Sequence, residues 1–166
     1  MSLIVASAAI VSLGTACGGD SSGNDAGPGV LGKTFHDRVT AVCRSVLSQK
    51  RALGPFPYPD FNPTQPDLSK LPSIARLEAK TVQIYDGWVR RLDALGQPQT
   101  GQSAWSNVLE ALKNNARAIA DQQAAGERRD GETFTRDYYE GNKFQTQLED
   151  ASDAAGLPAC AEAAAA

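Results

Sequence analysis

One histidine, one methionine and two tryptophans occur in 166 residues, and there is no run of roughly 20 apolar residues of the kind that spans a bilayer as a helix. The lone His36 leaves cysteines and carboxylates to build any metal centre, and neither repeats at ligand spacing, so no metal site is expected. A glycine-rich phosphate loop, a G-x-S-x-G turn and a paired C-x-x-C motif are all missing, which removes many familiar enzyme classes. No block of one charge dominates either. Sixteen Lys and Arg against nineteen Asp and Glu give a net charge of -3, and nothing in that balance steers the chain toward nucleic acid.

What is present is enough for one ordinary core. With 42% hydrophobic and 21% charged residues, a chain of this length supports a single domain. Its amino end, "MSLIVASAAIVSLGTAC", is apolar or small from Leu3 to Leu13, the length of a signal-peptide core. The tract "GGDSSGNDAGPG" after it has no side chain large enough to offset the entropy of ordering, so a flexible tether is expected there.

Cys17 follows Gly14, Thr15 and Ala16 and precedes Gly18 and Gly19. Leu13 to Cys17 resembles the lipobox of bacterial lipoproteins. The resemblance implies a signal peptide over 1–16, diacylglycerol on Cys17 as the first mature residue, and a tether over 17–33. It places the chain on the extracytoplasmic face of the cell membrane, where several acyl groups on one cysteine would make the anchor durable. A plain secretory peptide and a retained membrane or cytoplasmic form are the alternatives.

From Thr34 the pattern becomes helical. Phe35, Val39, Val42, Cys43, Val46 and Leu47 recur at intervals of three and four and predict helix 34–53, with Thr34 and Asp37 as a modified capping box and Gly54-Pro55 as the stop. Stripes led by Ile74, Tyr85, Trp88 and Leu92, then by Trp105, Val108 and Leu112, then by Phe134, Gly141 and Leu148, predict helices over 72–95, 103–125 and 133–155. Gly141 in the middle of the last is expected to mark a close crossing or a bend. The fold class is therefore all-α, a four-helix up-and-down bundle over 34–160, with 161–166 as an Ala-rich frayed tail.

Between the first two helices runs "GPFPYPDFNPTQPDLSKLP", whose six prolines at 55, 57, 59, 63, 66 and 72 exclude a regular helix or central strand. Phe56, Tyr58 and Phe61 are too large for a free linker. The segment is read as an ordered crossover whose rings adhere to the bundle, and these three, with Tyr139, are the candidate contact surface.

Once Cys17 is assigned to lipid, Cys43 and Cys160 remain, and an even pair in an exported chain invites a disulfide. Gly156 is expected to end the fourth helix and Leu157 to pack back on it, bringing Cys160 toward the first helix. A catalytic cysteine would need a base, and His36 stands seven residues from Cys43, about 10 Å along a helix axis, too far for direct proton transfer.

Other residues admit bland readings. Asp60, Asn62 and Thr64 briefly imitate a calcium loop, but Gln65 and Leu71 stand where Gly and Glu are required. Asp86 with Asp93, and Asp130 with Asp137, share helical spacing, and solvated charges explain them. Lys80, Arg90, Arg91, Arg128 and Arg129 could meet an anionic headgroup or a cell-wall polymer, but acidic neighbours favour a solvated surface.

The export cysteine, the tether, Cys43, the stretch "PFPYPDFNPTQPDLSKLP" and the terminal "GLPAC" together resemble the small predicted lipoproteins of actinobacteria, the high-GC Gram-positive bacteria. This resemblance implies a disulfide-fastened helical domain outside the membrane and carries no biochemical activity. The expectation is a non-enzymatic, lipid-anchored cell-envelope interaction or binding domain, needing no cofactor, with an envelope protein, lipid or cell-wall partner. The alternative is a protein binding a small apolar or lipid ligand between its helices; an envelope hydrolase is the least favoured. An internal cavity would support the ligand reading, and an exposed aromatic patch the interaction reading.

Overall fold

A computed structural model describes residues 31–166. The expected signal peptide, Cys17 and all but the end of the expected tether lie outside the described residues. Five helices follow in order: α1 Lys33–Ala52, α2 Leu71–Asp93, α3 Gln102–Glu127, α4 Gly131–Ala154 and α5 Pro158–Ala165. No strand occurs among the described residues.

The four expected helices are found within a few residues of their anticipated limits, and the helical spacing explains why. Val39, Cys43, Val46 and Leu47 of α1, Tyr85, Trp88 and Leu92 of α2, Trp105, Val108 and Leu112 of α3 and Leu148 of α4 meet in one buried cluster. Apart from the adjacent Val46 and Leu47, those sharing a helix stand three or four residues apart, which puts them on one face. Helices α1 and α2, α2 and α3, and α3 and α4 pack as sequential neighbours.

The fifth helix corrects the four-helix expectation. Residues 158–165, anticipated as a terminal cysteine and a frayed tail, form α5, which packs against both α4 and α1. Ala163 and Ala164 are buried with Cys160 in the principal cluster. An isolated helix of eight residues is marginal in water, so tertiary attachment has to hold this one.

Three features supply that attachment. Gly156, at φ 72°, ends α4. The Leu157 N–H donates to the Ser152 carbonyl at 2.8 Å and the Gly156 N–H to Asp153 at 2.9 Å, the paired bonds of a Schellman turn that reverses the chain into α5. The Cys43–Cys160 disulfide then joins α5 to α1 across a sequence separation of 117. His36 Nε2 also donates to the Gly156 carbonyl at 2.9 Å, tying the first turn of α1 to the same corner.

Two smaller expectations change. Thr34 makes no capping bond: Gly32 occupies the cap position and α1 starts one residue earlier, with Lys33 paired to Asp37 at 2.7 Å. The last residues assigned to the tether accordingly belong to the fold, because Leu31 is buried in the main cluster. Gly141 does face α3, but a Cβ there would stand an ordinary 3.9 Å from Ala118, so that crossing is not tight. The tight one is Gly126, where a Cβ would meet Ala75 of α2 at 3.1 Å.

The proline-rich crossover covers a second, smaller core. Leu71, Ile74, Ala125 and Phe134 are buried beneath it, with Tyr58 and Phe61 packed on top. Phe61 meets Phe134 edge-on at 5.8 Å between centroids, and Phe56 meets Phe61 at 6.1 Å and Tyr58 at 5.6 Å. Local turns stiffen the path: Asn62 Oδ1 accepts from the Thr64 N–H and Asp67 Oδ1 from the Ser69 N–H. The Thr135 hydroxyl of α4 donates to the Pro63 carbonyl at 2.7 Å and fixes the middle of the segment.

Candidate functional site

Where the crossover leaves α1, it forms one wall of a groove of about 580 Å³. The other walls come from α2, α3, α4 and the end of α5. Leu53 and Phe56 stand at its exposed side, Leu77 and Ile119 line it, and its polar side chains are Lys50, Glu78, Lys80, Thr81, Tyr85 and Gln145, of which Lys50, Glu78 and Tyr85 reach inward. Its size falls within the range usual for small-molecule sites, and its lining is a few polar groups among apolar ones.

Lys50 extends the inner stripe of α1, three residues beyond Leu47 and seven beyond Cys43. The ammonium is therefore carried toward the interior. Its three protons are all used within the protein: Nζ donates to the Ala163 carbonyl at 2.9 Å, to the Ala164 carbonyl at 3.1 Å and to the Tyr85 hydroxyl at 3.2 Å. Two of those acceptors are carbonyls of the last turn of α5, the negative end of that helix, so Lys50 caps it. Burial pushes the ammonium down to about 8, while the Glu149 carboxylate opposes the shift.

Tyr85 lies beneath Lys50, whose Nζ is 5.1 Å from the ring centroid. Its hydroxyl also accepts from Asn115 Nδ2 at 3.4 Å. Burial raises the phenol to about 12, so it stays neutral throughout the physiological range.

Glu78 is the unusual group. It lies on the buried stripe of α2, four residues after Ile74 and seven before Tyr85. One carboxyl oxygen, Oε1, accepts from Gln122 Nε2 of α3 at 2.8 Å. The other, Oε2, is shut off from water and has no hydrogen-bond partner. Burial alone raises this carboxyl to about 7, because no cation stands close enough to favour its charged form.

The residues expected to form a contact surface are divided. Phe56 is 49% exposed at the groove's rim, whereas Tyr58 and Phe61 are half-buried and spend their rings on the second core. Tyr139 is 51% exposed on α4 and its ring packs against Tyr138, so it is not joined to the crossover rings. Cys43 and Cys160 form the expected disulfide, fully buried.

The other polar candidates remain dispersed. Asp93 pairs with Lys113 at 2.9 Å, and Asp130 caps α4 by accepting from the Thr133 N–H at 3.1 Å. Asp137 is buried, with Oδ1 taken by the neighbouring Arg136. Among the described residues no group of three or more His, Cys, Asp or Glu side chains comes together to hold a metal. No helix among them is long and apolar enough to cross a membrane.

Lys50 and Glu78 were not singled out from the sequence. The available signal was a charged residue on an otherwise apolar stripe, at Lys50 after Val46 and Leu47, and at Glu78 between Ile74 and Tyr85. No family model, curated protein or solved structure matches the chain.

Proposed function

We propose that this chain is a non-enzymatic binding domain of the cell envelope, held at the extracytoplasmic face of the membrane through Cys17, and that its ligand enters the groove beside Phe56. The observation that carries the reading is the half-open groove with apolar walls and one buried carboxyl oxygen lacking a partner. Such an oxygen is costly to keep unless something completes it. The described residues leave it incomplete.

The polar groups of the groove also favour binding over catalysis. Lys50 has spent its protons on α5 and Tyr85, and the Tyr85 hydroxyl is held neutral by burial. A hydrolase needs a nucleophile beside a base, or two carboxyl side chains flanking the scissile bond, and the groove contributes one carboxyl side chain, Glu78. The alternative surface, Tyr139, is a single exposed ring, with no other exposed large apolar side chain on α4.

Titration of a lipid extract from the source membranes into the isotopically labelled, oxidised chain tests this reading. Backbone resonances of Leu53 to Phe56 and Leu77 to Thr81 should move together. Movement confined to α4 around Tyr139, or none at all, would contradict it. The anchor has a separate test: Cys17→Ser should move the folded protein from the membrane fraction to the soluble one, and continued membrane association would require a different anchor.

A further inference from the structure

We propose that the groove selects a small amphiphile with a protonated amine head, the ammonium pairing with Glu78 and the apolar body lying along Leu53, Phe56, Leu77 and Ile119. This rests on the groove being the binding site, and it names the chemistry the site accepts.

The assignment follows from counting donors, acceptors and charges. An anionic head would need a free donor. The inward-facing one, Lys50, has none, since its three N–H groups already reach Tyr85, Ala163 and Ala164, and the other ammonium of the wall, Lys80, is exposed and solvated. Its charge is met by the carbonyl end of α5 and by Glu149. Glu78 is the reverse case, an acceptor with one oxygen unused and no ion-pair partner among the described residues. A carboxylate head would add a second negative group beside it, whereas an ammonium brings both a donor and the missing charge.

Geometry allows the contact. Glu78 forms part of the groove wall, and the last torsion of a glutamate side chain is broad and roughly two-fold, so its carboxyl group can turn toward an entering head without leaving a rotamer well. The apolar residues lie on the same groove, with Leu53 and Phe56 on its exposed side, where a hydrocarbon tail would cover surface now open to water. The remaining charged side chain of the wall, Lys80, is exposed and well solvated, so it does little to repel a cation.

Three probes of equal chain length separate the possibilities: octylamine, octanol and octanoate, titrated calorimetrically at about pH 8 into the full oxidised chain. Octylamine should bind about tenfold or more tighter than octanol, and octanoate weakest of the three. Glu78→Gln, which keeps the shape and the Gln122 contact, should reduce octylamine to the level of octanol and leave octanol unchanged. In the unaltered protein at about pH 6.5, the carboxyl carbon resonance of Glu78 should shift toward its ionised position with octylamine and stay put with octanol, a readout that needs no variant. Octanoate binding as tightly as octylamine, or an unchanged octylamine affinity in Glu78→Gln, overturns the amine assignment while the groove survives as a binding site. Failure of all three probes to bind overturns both.

Discussion

Removing the Cys43–Cys160 bond is the perturbation whose size can be worked out most directly. The two cysteines are fully buried and their sequence separation is 117, so the covalent loop includes nearly the whole folded part. The chain-entropy relation gives about 5 kcal/mol for a loop of this size, lost when the unfolded ensemble is freed. That is a third or more of the ~5–15 kcal/mol that holds an ordinary domain together. The double variant Cys43→Ala/Cys160→Ala avoids placing new hydroxyls in the core. Urea unfolding followed by helical circular dichroism and by tryptophan emission would measure it, with Trp88 and Trp105 reporting from the same buried cluster as the disulfide. The variant should remain helical, unfold at much lower urea, and show a steeper dependence on urea because its unfolded chain is more expanded. A loss below about 1 kcal/mol would refute the reasoning, since it would mean that the unfolded state is already held compact without the bond.

Further predictions concern pH and the chain end. The Glu78 carboxyl loses its proton near 4.5 when unfolded and near 7 when folded. The unfolded state therefore gives up its proton first, and stability falls as pH rises between those values. Glu78→Gln should remove that fall, gaining roughly 3 kcal/mol over the wild type at pH 8 and little at pH 4 by denaturant titration. Lys50 acts in the opposite sense: with its folded value lowered to about 8, the unfolded ammonium keeps its proton longer, so stability should rise from pH 8 to 10 and Lys50→Met should flatten the rise. Deleting residues 161–166 should cost roughly 2 kcal/mol, because it exposes the sites of Ala163 and Ala164 and strips Lys50 of two acceptors. Gly141→Ala should raise the melting temperature, since the added methyl finds ordinary contact with Ala118 and helix propensity gains up to about 1 kcal/mol.

The helices were legible because their apolar residues contrast with polar ones at a period near 3.6. Where that contrast fails, the sequence loses its voice. "PACAEAAA" is nearly all alanine, so no face differs from another, and α5 exists through its disulfide, the Gly156 turn and the Lys50 cap. All three are contacts with distant parts of the chain. The disulfide itself was legible by cysteine arithmetic once Cys17 was set aside, as was the Gly156 stop with Leu157 folded back, both found as expected.

The groove was less legible. Phe56, Tyr58 and Phe61 look alike in sequence, but only Phe56 is left exposed, because Tyr58 and Phe61 find Phe134 and its neighbours beneath the crossover. Lys50 and Glu78 read as ordinary helix charges. Whether a charge on an apolar stripe reaches water depends on which segment lies against it: the end of α5 accepts from Lys50, and α3 brings Gln122 to Glu78. Arg129, at φ 57°, is another local exception: it takes the left-handed position that glycine usually fills, and lets the Asp130 N–H reach the Ala125 carbonyl at 3.0 Å.

The most direct test of the binding account is native mass spectrometry of the full protein extracted gently from its own membranes, compared with Leu77→Trp, in which the groove is filled by an indole. The account predicts a discrete small-molecule adduct on the wild-type chain that is lost in the filled variant. A bare wild-type chain, or an adduct retained by both, would contradict it.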